Sequence, residues 1–367
     1  MVQNAGLTQC IGDPGCFHNK EVIISTHVDD MMACGSKEVL DDVETSIEKT
    51  VELEKLGLPT KLLGMELTWS TNYGDRSVKL TQRNSIEKLE KEHGLTSQTI
   101  PKKSLPLNPA MYNPPSPEDE ALNEEGKKKY QSLVGSLLYI NRCTRPEISV
   151  HVNLLGRRTA NPSQSNMIAV ICILRYLASS KEEGITLTKT ICESFEKTKE
   201  LKTLITIEAY ADASYGGDQA RSQSGSLVTL NGNAILWNSR RQDTVALSIT
   251  EAEYIACSET AKDIRWMQQL LNEVMNPQSI LQTSTLHTDN EAALRLTKTQ
   301  TFHRRTRHIE HRFHYLRQLT SQKWIKMKGI PGKENPADIL TKLIPMITVV
   351  NWKKRWMLHS GIPWKDC

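Results

Sequence analysis

Short alternating runs open the chain and then give way to helical spacing. Val22-Ile23-Ile24 and Met31-Met32-Ala33 read as two strands bending at Val28-Asp29-Asp30, a hairpin with two carboxylates at its tip. After Ser36, a residue suited to cap a helix, Leu40, Val43, Ile47 and Val51 recur at helical spacing. A second hairpin is expected from Leu62–Trp69 and Val78–Leu80 around Asn72-Tyr73-Gly74. Together these segments read as a fragment of an α+β domain.

Prolines then punctuate the chain from Pro101 to Pro117, a composition that resists helix and sheet alike and marks a linker or extended crossing. Two helices follow, one through Leu133, Leu137 and Leu138 and one through Ile168, Ile171, Leu174 and Leu177, with Arg145-Pro146-Glu147 restarting the chain between them. From Leu204 the pattern changes to strands: Leu204–Ala211, Gly225–Leu230 and Ala234–Asn238, the last two joined by the hairpin dipeptide Asn231-Gly232. Thr250 and Glu253 form a Ser/Thr-x-x-Glu capping box ahead of a long helix striped by Ile264, Met267, Leu271 and Val274. Leu286–Asp289 reads as a strand, Glu291–Leu296 as a helix and Trp324–Ile330 as a last strand. Asn335-Pro336 then opens a final helix.

Composition changes this picture little. With 367 residues, 38% of them hydrophobic, the chain is long enough for more than one core, and a net charge of +4 decides nothing about partners. The eight cysteines are scattered without paired spacing, so an intracellular, reducing setting is expected. No apolar run approaches the roughly 18 residues of a spanning helix, and no membrane association is expected.

Four acids fall at strand ends or helix starts in the last region: Asp212, Glu251, Asp289 and Asp338. Carboxylates gathered outside the strand ends of an α/β sheet repel one another unless divalent cations neutralise them. Oxygen ligands without neighbouring cysteine or histidine suit magnesium, with manganese as the alternative. Paired ions about 4 Å apart serve phosphodiester hydrolysis, one at the attacking water and one at the leaving oxygen. With Thr250 and Glu253 assigned to the cap, Glu251 is the acid left free for a metal.

Four segments carry a family resemblance: Ala209-Tyr-Ala-Asp-Ala-Ser214, Val245-Ala-Leu-Ser-Ile-Thr-Glu-Ala-Glu-Tyr254, Leu286-His-Thr-Asp-Asn-Glu-Ala-Ala293 and Asn335-Pro-Ala-Asp-Ile-Leu-Thr-Lys342. They resemble the successive ribonuclease H motifs of copia-type LTR-retrotransposon Pol polyproteins. The resemblance implies that Asp212 bridges two Mg2+ ions, Glu251 and Asp289 complete the leaving-group ion, and Asp338 completes the one that activates water. In one departure from the wider fold, Pro331–Pro336 lacks the histidine often found before the last Asp.

Upstream, His27-Val-Asp-Asp-Met31 is similar to the aromatic-x-Asp-Asp core of reverse transcriptases, with histidine at the aromatic position. Leu62–Glu66, Tyr130–Tyr139, Thr144–Ile148 and Leu174–Leu177 resemble the polymerase and connection segments that follow. Too few residues precede Asp29 to supply a third palm carboxylate and fingers, so Asp29 and Asp30 are read as a polymerase relic or as turn residues. The resemblance therefore implies the C-terminal piece of such a polyprotein, α/β in class. A partial reverse-transcriptase palm over 1–98 and a helical thumb or connection region over 99–200 would precede a ribonuclease H-like domain over 201–345. That domain would be a mixed five-stranded sheet with flanking helices, and 346–367 a C-terminal tail.

Phe302–Leu319 carries Arg304, Arg305, Arg307, His308 and Arg312, a cationic run suited to duplex phosphates. His311 and His314 share one side of a helix, but no cysteine pair or third ligand lies near them in sequence, and no zinc is expected. The resemblance implies an endonuclease acting on the RNA strand of RNA–DNA hybrids, in company with the remaining Pol segments. The expected setting is the cytoplasm, in virus-like particles, or the nucleus. The alternatives are a catalytically inactive nucleic-acid-binding remnant and a polymerase part completed in trans.

Overall fold

Alternation in the first segment does produce strands. In the computed structural model, which describes residues 5–19, 21–70, 77–95, 104–189, 192–195, 201–216, 220–275, 279–298 and 310–357, β1 (Thr8–Gln9), β2 (Cys16–His18), β3 (Val22–His27) and β4 (Asp30–Gly35) form an antiparallel sheet in chain order. Val22 and Ile24 pack with Leu7 and with Val43 and Ile47 of α1 (Lys37–Glu48), making a small separate core. Val28 takes φ 53° at the tip of the β3–β4 hairpin, and the whole of β4 is exposed. The second expected hairpin is also present: β6 (Met65–Trp69) pairs with β7 (Ser77–Thr81), flanked by β5 (Lys61–Leu62) and β8 (Ile185–Thr188), and followed by α2 (Arg83–Glu92).

The described part of the proline-rich crossing is anchored. Leu105 and Tyr112 are buried, and Tyr112 Oη donates to Pro106 O at 2.9 Å while meeting His151 Nδ1 at 2.6 Å. Beyond it lie α3 (Glu124–Cys143), α4 (Ser149–Gly156) and α5 (Gln164–Ala178). Leu133 and Leu137 turn into the core, while Leu138, next in sequence, stays exposed because neighbouring helical positions point about 100° apart. Arg145, with no exposed surface, bonds Glu147 Oε1 at 2.7 Å and Ser180 O at 3.0 Å, so this buried charge is paired and hydrogen-bonded at the α3–α4 junction.

The strand expected over Leu204–Ala211 is two strands. β10 (Leu201–Ile205) joins β9 (Cys192–Phe195) and β14 (Ser279–Leu281) in a small sheet, and after Thr206 the chain enters a second sheet as β11 (Ile207–Ser214). That sheet runs in the order β13 (Asn233–Arg241), β12 (Gln223–Leu230), β11, β15 (Ser284–Thr288), β16 (Ile325–Gly329). The first three strands are antiparallel, and β15 and β16 extend the sheet in parallel. Asn231 and Gly232 take φ 48° and 81°, the left-handed pair that a tight hairpin demands.

Alternation along β11 divides two cores. Ile207, Ala209, Ala211 and Ala213 face α6 (Ile249–Val274), whose Tyr254, Cys257, Ala261 and Ile264 are buried against them, and their small size lets the helix lie close. α7 (Glu291–Lys298) and α8 (Glu310–Ser321) complete that side. On the opposite face Tyr210, Leu227 and Ala234 share one core with α3, α4 and α5. The segment set apart as a tail contributes α9 (Met346–Trp356), which buries Val349, Trp352 and Trp356 in that same core.

Candidate active site

Sheet register brings the first two acids level. Tyr210 of β11 pairs with His287 of β15, so Asp212 and Asp289 each lie two residues beyond the same rung of a parallel pair. Asp338 arrives from a 3-10 helix over Pro336–Leu340, where Asn335 caps the first turn by accepting from Ala337 N at 3.1 Å. Asn335 Nδ2 donates to Ala211 O at 3.0 Å, and Trp352 Nε1 donates to Pro336 O at 2.8 Å, so this turn is fixed from both sides. One carboxylate oxygen from each of Asp212, Asp289 and Asp338 lies within 4.8 Å of the others.

Glycine permits the approach. Gly225 pairs with Asp212 across the sheet, and a Cβ there would stand 2.7 Å from Thr341 Cγ2 and 2.9 Å from Ala337 O. Only a residue without a side chain lets the last turn lie on β12. Gly332 plays a similar part, since its Cβ would fall 3.0 Å from Asp289 Oδ2.

Charge is concentrated here at a cost. Burial pushes Asp212 up to about 6, with Lys342 and Thr341 opposing and Asp338 and Asp289 adding to the rise. Burial likewise raises Asp289, and Asp338 raises it further. Lys342 Nζ lies 2.5 Å from Asp338 Oδ1 and 3.4 Å from Asp212 Oδ2. Burial tends to lower its pKa, but Asp212 and Asp338 outweigh that and the net shift is upward. Thr341 Oγ1 donates a hydrogen bond to Asp212 Oδ2.

Glu251, expected as the fourth acid, is engaged at the start of α6. The helix starts two residues earlier than Thr250 predicts: Ser248 is the N-cap, its Oγ accepts from Glu251 N at 3.1 Å, and Leu247 N donates to Glu251 Oε2 at 2.7 Å. Glu251 therefore serves the helix terminus. Glu253, assigned to the cap by its sequence spacing, is instead buried at 5% exposure, and its Oε2 has no hydrogen-bond partner among the described residues. Burial, followed by the charges of Asp212 and Asp289, pushes Glu253 up to about 9. Ser248-Ile-Thr-Glu251 and Thr250-Glu-Ala-Glu253 both satisfy the capping-box spacing, and the overlap hid the choice.

Other expected site residues stand apart. Arg304, Arg305, Arg307 and His308 lie outside the described residues, as does the side chain of Arg312. In the described part of that helix, Arg317 Nε donates to Leu296 O at 3.0 Å and ties α8 to the end of α7. Asp29 and Asp30 are exposed at the β3–β4 tip, and neither belongs to a cluster of metal-ligand side chains among the described residues.

A mixed sheet in this strand order, with acids meeting at the ends of its two central parallel strands and beside its long helix, defines a ribonuclease H-like domain. Solved structures superpose on part of the chain. The RNase H1 LC11 in complex with an RNA/DNA hybrid is 17% identical at a TM-score of 0.30, covering 36% of this chain and 92% of that one. The N-terminal RNase H domain of rv2228c from Mycobacterium tuberculosis is 13% identical at a TM-score of 0.28, covering 41% and 97%. The fold assignment rests on strand order and not on these superpositions. No family model matches the chain.

The chain belongs to the Pol polyproteins of copia-type LTR retrotransposons. It is 32% identical, over 94% of its length, to the retrovirus-related Pol polyprotein from transposon TNT 1-94 of Nicotiana tabacum. It is 30% identical over 62% of its length to that from transposon RE2 of Arabidopsis thaliana, and 26% identical over 97% to the transposon Ty1-DR6 Gag-Pol polyprotein of Saccharomyces cerevisiae. It spans 25%, 15% and 20% of those three proteins respectively.

Proposed function

We propose that the chain is a magnesium-dependent endonuclease hydrolysing the RNA strand of RNA–DNA hybrids to 5′-phosphate and 3′-hydroxyl ends. The observation that carries this is the meeting of Asp212, Asp289 and Asp338 within 4.8 Å. Glu253 has a buried oxygen lacking a partner among the described residues, and the charges of Asp212 and Asp289 act on it. Hard oxygen donors gathered this closely fit divalent cations, because a bound ion offsets both the burial and the mutual repulsion of the carboxylates. Two such ions, when bound, supply an activated water and stabilisation of the leaving oxygen.

The chain's own residues do the rest. Asp212, on the central strand β11, would be the ligand shared by the two ions, with Glu253 and Asp289 completing one and Asp338 the other. Thr341 and the Asn335 cap hold Asp212 and the Asp338 turn in register. Lys342 supplies positive charge between Asp338 and Asp212. Hybrid specificity is assigned from the resemblance to retrotransposon Pol polyproteins, and the cationic stretch from Arg304 to Arg312 is assigned to phosphate contact.

The test uses the full chain, because the sheet shares a core with the preceding helices. An end-labelled hybrid should be cut in magnesium and left whole in chelator, with matching double-stranded DNA and single-stranded RNA spared. Asp212→Asn should abolish cutting while hybrid binding persists. A folded wild-type chain that binds hybrid without cutting it would establish the inactive remnant in place of the nuclease.

A further inference from the structure

The N-terminal sheet meets the ribonuclease H-like part through the loop after β1. Trp266 Nε1 donates to Gly12 O at 2.8 Å, and the Glu273 carboxylate accepts from Ile11 N at 2.6 Å and Gly12 N at 3.1 Å, so the β1–β2 loop sits on the last turns of α6. At that contact the ligand atoms of Cys10, His18 and Glu273 lie within 4.8 Å of one another. Cys16 faces Cys10 across the hairpin: Cys10 N donates to Cys16 O at 2.8 Å, the two thiols are hydrogen-bonded, and both cysteines are free and buried.

Ordinary packing accounts for two thiols in a hairpin core, since free cysteine behaves as a small apolar residue. It does not account for the remaining pair. His18 Nδ1 is buried without a hydrogen-bond partner among the described residues, and a carboxylate stands next to a buried thiol.

We infer that Cys10, His18 and Glu273, with Cys16 as the fourth donor, bind a zinc ion that staples the N-terminal sheet to α6. Thiolate with imidazole selects zinc over magnesium, so this site is chemically distinct from the all-oxygen site of the aspartates. Tetrahedral bonds of about 2.0–2.3 Å set donors roughly 3.3–3.8 Å apart, so the observed cluster contracts by no more than about 1.5 Å on loading. A protein donor in every position makes the site structural. Sequence spacing could not show it, because Cys10 and Cys16 form no C-x-x-C pair and Glu273 lies on a helix far along the chain.

The test is the metal content of the full chain purified without chelator. Elemental analysis should find about one zinc per chain, retained by Cys34→Ser on the exposed β4 and lost in Cys10→Ser and His18→Gln. Because those variants could fail to fold, the chelator-stripped wild type is also titrated with Co2+, which should give thiolate-to-metal charge-transfer absorption and a raised melting temperature. Zinc absent from the wild type, zinc retained in Cys10→Ser, no charge-transfer band, or a Cys10–Cys16 disulfide in the unreduced protein would each overturn the inference. These readouts are independent of hybrid cleavage, so failure of one reading leaves the other standing.

Discussion

Changing Glu251 and Glu253 separately to glutamine distinguishes a helix cap from a metal ligand. In the unfolded chain Glu253 ionises at its ordinary value of 4.5, but in the folded, metal-free chain it holds its proton to about 9. Folding therefore takes up a proton between those limits, so this group's contribution makes the protein less stable as pH rises through that window. At pH 7 the penalty reaches at most roughly 3 kcal/mol, at about 1.36 kcal/mol for each of the roughly 2.5 pH units above the unfolded value. Glutamine cannot ionise but still buries a polar amide, so Glu253→Gln should recover part of that amount near pH 7 and none near pH 4.5. Magnesium should then raise the melting temperature of the wild type more than that of the variant, and hybrid cleavage by the variant should fall to background. Glu251→Gln should instead cost about 0.5–1 kcal/mol through the weakened bond to Leu247 N, with cleavage intact. Circular dichroism melts at several pH values, with and without magnesium, and a gel assay on labelled hybrid measure both effects. Cleavage lost in Glu251→Gln and kept in Glu253→Gln would refute the placement of Glu253 among the metal ligands and of Glu251 at the helix cap.

Two further substitutions probe how the last turn is seated. Gly225→Val places methyl groups where Thr341, Ala337 and Leu340 already lie and should cost about 1–3 kcal/mol in urea unfolding while removing magnesium-dependent cleavage; full activity would mean that the turn does not rest on β12. Lys342→Met withdraws the ammonium that pairs with Asp338 and Asp212, and should lower the melting temperature of the metal-free protein while tightening magnesium binding several-fold by calorimetry. Weaker binding would show that Lys342 supports the ion rather than standing in its place.

What could be read from the sequence depended on how local the cause was. The hairpin at Asn231-Gly232 was legible because its left-handed φ values tolerate few other residues. Asp212, Asp289 and Asp338 were legible as strand-end and helix-start acids, and the structure brings those three together. Choosing between Glu251 and Glu253 was not, since two overlapping caps fit one string and the backbone at Ser248, φ −159° and ψ 162°, decides which is used. The break at Thr206 was hidden for another reason: alternation continues through it while the chain changes sheets. Val349, Trp352 and Trp356 did carry the i, i+3, i+7 spacing of a packed helix, a pattern that setting the segment aside as a tail passed over.

The helices α3, α4 and α5 act as more than a spacer between the two ends of the chain. Trp237 Nε1 of β13 donates to Asn141 O of α3 at 2.9 Å, and Asn233 exchanges hydrogen bonds with Thr188 of β8, its Oδ1 accepting at 2.8 Å and its Nδ2 donating at 3.0 Å. Lys353 of α9 bonds Tyr176 of α5 at 3.0 Å, and one turn of that same helix holds Trp352 under the Asp338 turn. Interiors are close-packed, so a shift in α5 is passed on to α9 and from there to the turn that carries Asp338. The turn that carries Asp338 is therefore supported from the helical core through α9, while α6 packs on the other face of the sheet. A chain cut at residue 201 would keep all the acids yet expose Tyr210, Leu227 and Ala234, and with them lose the support that sets the last acid in place.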